Sequence, residues 1–280
     1  TTLEAELNNF GKNQFQINGK KINKKKELQE KIRTTIFGPE DLALIKGGPG
    51  ERRNYLDELL LDLHVKNQLI KVNFEKCLKQ RNTLLKQAKG KLTTEIETTL
   101  DVWDEKFSES GQQLALERIN LLEQLKPEIE KTLNKFTNRQ DAVSFEYEQL
   151  WEKEKLFETL QTKREIDIRR GTTTTGPHRD EIEIKVNNLL SKTHSSQGEQ
   201  RSLALGLRFA GHEIVKKTTG SEPIVLLDDV FSELDDTRCR TLIDLLPKKQ
   251  AVLTTTGELP NGVKADYKYH VVEGTIQSSE

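Results

Sequence analysis

Apolar residues recur along the chain with two different periods. Between Gly50 and Lys89, Leu56, Leu60, Leu63, Ile70, Phe74, Cys77 and Leu84 repeat at steps of four and three, which predicts a helical run. Asn67 and Arg81 interrupt this seam, and Gly90 ends it. Residues 93–107, with Leu100 and Trp103, predict a second, short helix. Ala115, Ile119, Leu122, Ile129, Leu133 and Phe136 line a third, which Pro127 is expected to kink or split. Glu and Lys alternate on the polar faces, as on solvated helices. The three pieces predict a short antiparallel arm, although a plain helical bundle would use nearly the same residues. Elsewhere the period is two or the run is continuous. Residues 2–10 and 13–23 read as strands, with Asn18-Gly19 as a tight hairpin turn. Thr34–Phe37, Val143–Tyr147, Ile182–Val186, Ala251–Thr256 and Tyr267–Val272 read as further strands, the last as an edge strand, and residues 150–168 as a helix.

The most informative run is Ile224–Leu227, four apolar residues ending on Asp228-Asp229. A continuous apolar run marks a strand buried on both faces. Acids at its end stand where ligands bind in an α/β sheet. One carboxylate suits Mg²⁺, which prefers oxygen donors and keeps its water; the other can orient or deprotonate an attacking water. That is the physical content of a Walker B element. A buried strand running into a polar loop is the plainer reading, but it does not explain Asp-Asp followed by Ser232-Glu-Leu-Asp235.

Upstream lies Ser196-Gln197-Gly198-Glu199-Gln200-Arg201, ahead of an amphipathic helix through Leu203, Leu207 and Ala210. A first helical turn with free N–H groups, a hydroxyl and a glycine suits a phosphate. Ser196 and Glu199 also satisfy the pattern of a capping box. Lys20, Lys21 and Lys24–Lys26 form a basic run that reads as DNA phosphate contact or as a protected hairpin edge. Arg52, Arg53, Lys79 and Arg81 could face DNA. Glu40 and Asp41 read as a helix cap. His178 and Arg179 could touch nucleotide or DNA, or sit in a loop held by an Arg–Asp pair.

Ser196–Ser202 resembles the signature motif of ABC-type ATPases of the SMC group, and Leu226–Asp235 resembles their Walker B and D-loop. Phe37–Leu42, Lys46–Arg53, Lys79–Asn82 and Gly176–Asp180 extend the likeness, in order, to the RecF family. The resemblance implies an α/β fold: an ABC-type ATPase head with a mixed sheet lobe and an inserted, mostly helical lobe or short antiparallel arm. Residues 1–48 would be the remainder of the N-terminal part of lobe I, 49–165 the helical lobe II arm, 166–220 the strands and signature helix, and 221–280 the Walker B, D-loop and C-terminal part of lobe I. It also implies ATP and Mg²⁺ as cofactors, with two ATPs sandwiched in a homodimer. The ABC-type pattern implies Asp228 as the metal ligand and Asp229 as the catalytic residue that positions water. Ser196, Gln197, Gly198, Glu199 and Gln200 would face a partner's nucleotide, and Ser232 and Asp235 would communicate across the interface. The implied partners are DNA at duplex–single-strand junctions, RecO and RecR, in RecA loading during repair of gapped DNA. The family's phosphate-cradling Gly-x-x-x-x-Gly-Lys-Ser/Thr loop has no match here, so the chain is expected to start after it and to lack the first strand and helix of its nucleotide lobe. Asp229 stands where most ABC relatives carry Glu; the shorter acid implies slow hydrolysis. A transporter subunit would need Leu-Ser-Gly-Gly-Gln and a His after the next strand, where Thr254–Thr256 stand instead. A non-enzymatic scaffold that keeps the motifs is the other alternative.

Charge and composition narrow the setting. Net charge is −1, so no global basic field draws the chain to nucleic acid. Charged residues make up 32%, above the ~25% of an average domain. Cys77 and Cys239 are far apart and form no metal pattern; with no signal peptide they predict reduced thiols and a cytoplasmic protein. No apolar run approaches the ~20 residues of a membrane span. The chain contains no methionine.

Overall fold

The computed structural model describes residues 2–8, 11, 13–22, 32–247, 249–257, 259 and 263–278. An antiparallel meander comes first: β1 (Leu3–Glu6), β2 (Gln14–Ile17) and β3 (Lys20–Ile22). Asn18 and Gly19, at φ 50° and 75°, make its tight turn as expected. Lys20 and Lys21 are exposed on β3. Lys24, Lys25 and Lys26 of the basic run lie outside the described residues.

β4 (Thr34–Phe37) leads through a 3-10 turn, Pro39–Leu42, into the short α1 (Ala43–Lys46). Then come α2 (Pro49–Leu63), α3 (Val65–Gln87) and α4 (Thr94–Thr137). The first periodic run is therefore two helices. His64 is extended between them, at φ −146° and ψ 137°, and buried Asn67 bridges the break by donating to the Leu60 carbonyl at 2.8 Å. Residues 93–107 and 115–136 are, conversely, one helix of 44 residues that runs through Pro127. Leu125 and Ile129 on either side of the proline are fully buried, so packing outweighs the hydrogen bond that proline forfeits. α4 packs along α3 as an antiparallel arm.

β5 (Val143–Glu148), β6 (Glu181–Val186) and β7 (Leu189–Leu190) form an antiparallel sheet, with α5 (Leu156–Arg170) inserted after β5. The short α6 (Ser191–His194) turns the chain into α7 (Gln197–Thr219), which lies against α4. β8 (Ile224–Asp228) follows, then a 3-10 turn at Val230–Glu233, α8 (Asp236–Leu245) and β9 (Ala251–Thr254). β4, β8 and β9 make a parallel sheet with β8 central, in register Phe37–Leu227 and Asp228–Thr254. One face of this sheet packs Phe37, Val225 and Leu227 against Phe209, Leu205 and Leu242. The expected edge strand at the tail, β10 (Tyr269–Val272), pairs instead with β11 (Thr275–Ser278) in a separate hairpin. Among the described residues no helix is long and apolar enough to cross a membrane.

Candidate nucleotide site

The parallel register brings the ends of β4, β8 and β9 to one edge of the sheet, so Gly38, Asp228 and Thr254 are neighbours there. Asp228 is exposed, and the Thr254 hydroxyl donates to its Oδ1 at 2.5 Å. At Asp229 the backbone flips to φ 48° and ψ 30°, a left-handed conformation that Asp tolerates better than most residues. The Asp229 amide donates to the Thr254 carbonyl and hydroxyl oxygens, both at 3.2 Å. The flip takes Asp229 off the strand direction into a cleft lined by Gly38, Asp41, Arg201, Glu233 and Leu234. Its Oδ1 is buried and has no hydrogen-bond partner among the described residues. Ser232 donates from its hydroxyl to the Asp229 carbonyl at 2.8 Å.

The glycine-bearing turn is a capped helix start. Ser196 Oγ accepts from the Glu199 amide at 3.3 Å, and Glu199 Oε2 accepts from the Ser196 amide at 2.8 Å. The capping-box reading is thus realised. The Ser196 amide is also the main reason that the Glu199 carboxyl sits below its ordinary pKa. Gln197 is exposed and Gly198 half-buried. Gln200 is a correction: its side chain is buried and donates to the Ser191 and Lys192 carbonyls at 3.1 and 3.0 Å, so it braces the turn from behind. Asp235 caps α8, accepting from the Arg238 amide at 2.9 Å, and this bond leads the depression of its pKa.

Several charged residues expected on the surface are structural. Arg81, Asp104 and Asp167 are fully buried; Arg81 donates to both carboxylates at 2.6 Å and to the Thr173 hydroxyl at 2.9 Å. Arg52 is buried and donates to Glu181 and to the Leu44 and Gly47 carbonyls. Neither faces DNA. Lys79 and Arg179 are exposed. Arg53 donates to the Asp180 carbonyl at 2.7 Å. His178 is packed against Phe74 and Phe107, with its Nε2 3.1 Å from the Thr173 carbonyl. The loop is structural, but not through the expected Arg–Asp pair: buried Asp180 accepts from Trp151 Nε1 at 3.1 Å, and Arg179 is exposed. Asp41 accepts from the Gly38 amide at 3.0 Å, as a cap, and from Arg208 at 2.7 Å, which ties the end of β4 to α7.

The connections between these pieces were not visible in sequence. Arg201 on α7 pairs with Glu233 at 3.1 Å and donates to its carbonyl at the same distance. Arg238 reaches from α8 to Ser202 Oγ at 2.8 Å. Arg201 sits inside the glycine-bearing motif and Arg238 just past Asp235, but no spacing rule marks either as a link.

A parallel sheet with paired aspartates at its carboxyl edge, a capped glycine-bearing helix beside it and an inserted helical arm make an ABC-type ATPase head. No protein-family model matches the chain. Curated proteins do: the DNA replication and repair protein RecF of Streptomyces avermitilis is 36% identical over 292 aligned residues, covering 98% of this chain and 78% of that protein. RecF of Alkaliphilus oremlandii is 36% identical, covering 91% and 71%. Among solved structures, the recombination mediator protein RecF-ATP in the RecFOR pathway superposes with a TM-score of 0.85 at 32% identity, covering 96% of this chain and 74% of that one. A second RecF structure, RecF-ATPrS, gives 0.84 at 31% identity, covering 99% and 76%. The chain belongs to the RecF family.

Proposed function

We propose that this chain is the ATPase head of a DNA-repair clamp: two protomers close on two ATPs and hold DNA while the nucleotide lasts. The observation that carries the reading is the pair at the end of β8, exposed Asp228 beside Asp229 with a buried carboxylate oxygen that nothing among the described residues satisfies. A buried unpaired carboxylate oxygen is costly, and a water or an ion-bound water would relieve it. The Asp228 carboxylate and the Thr254 hydroxyl are hard oxygen donors of the kind Mg²⁺ takes. Asp228 would hold that ion, which neutralises phosphate charge when bound. Asp229 would orient the attacking water and accept its proton. Being one methylene shorter than glutamate, it reaches less far, which favours slow turnover and ATP as a timer.

In this reading Ser196 and Gly198 meet the nucleotide of a second chain, through the Ser196 hydroxyl and the first amides of α7, with Gln197 and Glu199 around them. Ser232 and Asp235 carry the state of the site to the interface, because Ser232 is bonded to Asp229 and Asp235 starts the next helix. The working division is residues 1–48 and 221–280 as nucleotide lobe, 49–165 as arm and 166–220 as signature segment. RecF relatives named for DNA replication and repair, and a RecF-ATP structure in the RecFOR pathway, support a role in DNA repair; the proposal extends it to a cytoplasmic role with RecO and RecR, loading RecA at junctions in gapped DNA. The test is the mass of the complete protein in gel filtration, with ATP, ADP or neither, and with gapped DNA added. A dimer that forms with ATP and retains gapped DNA is expected. A monomer under all conditions would leave the non-enzymatic scaffold as the better reading.

A further inference from the structure

Arg238 lies across the glycine of the signature turn. A Cβ built on Gly198 would stand 3.0 Å from Arg238 Nη2 and 3.2 Å from its Cζ. The guanidinium is held on two sides: Nε donates to Ser202 Oγ at 2.8 Å, and Nη1 pairs with Asp235. Ser202 Oγ in turn donates to the Gly198 carbonyl at 3.0 Å. Nη2 donates to nothing among the described residues, although it is the nitrogen nearest to Gly198. A helix N-terminus carries partial positive charge and favours anions, and Arg238 adds a cation over the first turn of this 23-residue helix, balanced by Asp235 and by Glu199 in that turn.

We propose that Arg238 is a nucleotide-binding residue, supplying through Nη2 a cationic donor to the terminal phosphate that a second protomer presents to Ser196 and Gly198. This rests on the sandwich reading above and adds to it a residue outside the signature stretch. Arg238 Nη2 and the first amides of α7 lie side by side, so one anion can accept from both. A guanidinium suits the task because, with two of its nitrogens anchored, its rigid plane holds the third ready for a phosphate oxygen. Asp235 acquires a defined role: it holds Arg238 in place before the phosphate arrives and shares it afterwards.

The experiment compares wild type with Arg238→Ala and Arg238→Lys in the complete protein. Three quantities are read: ATP affinity under conditions where the protein stays monomeric, the dissociation constant of the ATP-dependent dimer, and the urea midpoint. Because Arg238 acts on the partner's nucleotide, R238A should leave monomer ATP affinity within about twofold and weaken the dimer about tenfold or more, the size expected for one charge-assisted hydrogen bond. R238K should fall between, since one ammonium cannot hold Ser202, Asp235 and phosphate together. A purely structural role would lower the urea midpoint and ATP affinity along with the dimer, and would overturn the proposal. So would an R238A dimer of unchanged strength, or a tighter one, which would make the side chain a cover over Gly198. Failure of wild type itself to dimerise with ATP would bring down the sandwich reading, and this proposal with it.

Discussion

Asp229 combines two unfavourable features, a left-handed backbone at φ 48° and a buried carboxylate oxygen without a partner among the described residues. Both are the sort of local cost that persists at functional positions. Asn tolerates the same backbone and carries no charge to bury. Asp229→Asn should therefore keep urea-unfolding stability within about 0.5 kcal/mol of wild type or raise it. Single-turnover ATP hydrolysis should fall at least about a hundredfold. Equal hydrolysis would remove Asp229 from the chemistry. His178 offers a second residue-scale test. Burial holds its pKa down at about 4, against an ordinary 6.5. The unfolded chain thus takes up a proton as pH falls through 6.5, while the folded chain resists until near 4, so stability is complete above pH 6.5 and is lost on the way down. Between pH 7 and pH 5 this one group accounts for about 2 kcal/mol, and His178→Gln should flatten the pH dependence of urea unfolding by about that amount. At this scale Asp228 and Asp229 were legible, because four apolar residues ending in two acids describe a strand that delivers charge to the rim of a sheet. Burial on both faces was not borne out, since only Val225 and Leu227 of the run are buried and Ile36 and Val252 leave the other face exposed. Gln200 was misjudged: a polar residue inside a motif looks like a ligand contact, and only the fold shows its amide turned towards the Ser191 carbonyl.

Among the elements, the arm is held by ion pairs as well as by apolar packing. Arg81 of α3 joins Asp104 of α4 to Asp167 of α5, and Arg164 of α5 returns to Asp104 at 2.6 Å. Asn82 accepts from the Thr173 amide and hydroxyl, both at 2.7 Å, which extends the network to the loop after α5. Removing the central cation leaves buried Asp167 without a charge partner, held only by the Thr174 amide and hydroxyl, and Asp104 with Arg164 alone. Arg81→Met should cost about 3–5 kcal/mol, the penalty for breaking a buried pair from one side, as measured by urea unfolding. A loss below about 1 kcal/mol would mean that water reaches the site. Helix periodicity could not foresee this joint, since an Arg on an apolar seam looks like an interruption until its two acids arrive from residues 104 and 167. Helix ends were misplaced for similar reasons. Pro127 suggested a break that the flanking buried Leu125 and Ile129 override, whereas the break at His64 carries neither Gly nor Pro to announce it.

At the scale of the molecule, one parallel sheet sets the order of everything else. β4 and β8 are adjacent in space but 186 residues apart at their ends, Phe37 and Ile224 excluded, and the arm, the antiparallel sheet and α7 are all housed between them. Period alone predicts strands at 34–37 and 224–227 with a long helical stretch between them; the α/β head with an inserted lobe is what the resemblance of the motifs implies. Strand pairing could not be anticipated: nothing in Tyr269–Val272 separates a hairpin from an added sheet strand, since its exposed residues lack a buried face to fix register.

The decisive question is whether each nucleotide is served by two chains, and mixing two crippled variants answers it. Asp229→Asn spoils the site that a chain provides for its own nucleotide, and Ser196→Arg spoils the turn that it offers to a partner. In a mixed dimer both lesions fall on one site and the other site is whole. Each variant alone should hydrolyse ATP at background. An equal mixture should recover about a quarter of wild-type turnover, because about half the dimers are mixed and each has one intact site of two. A mixture as inactive as its components would contradict the shared site.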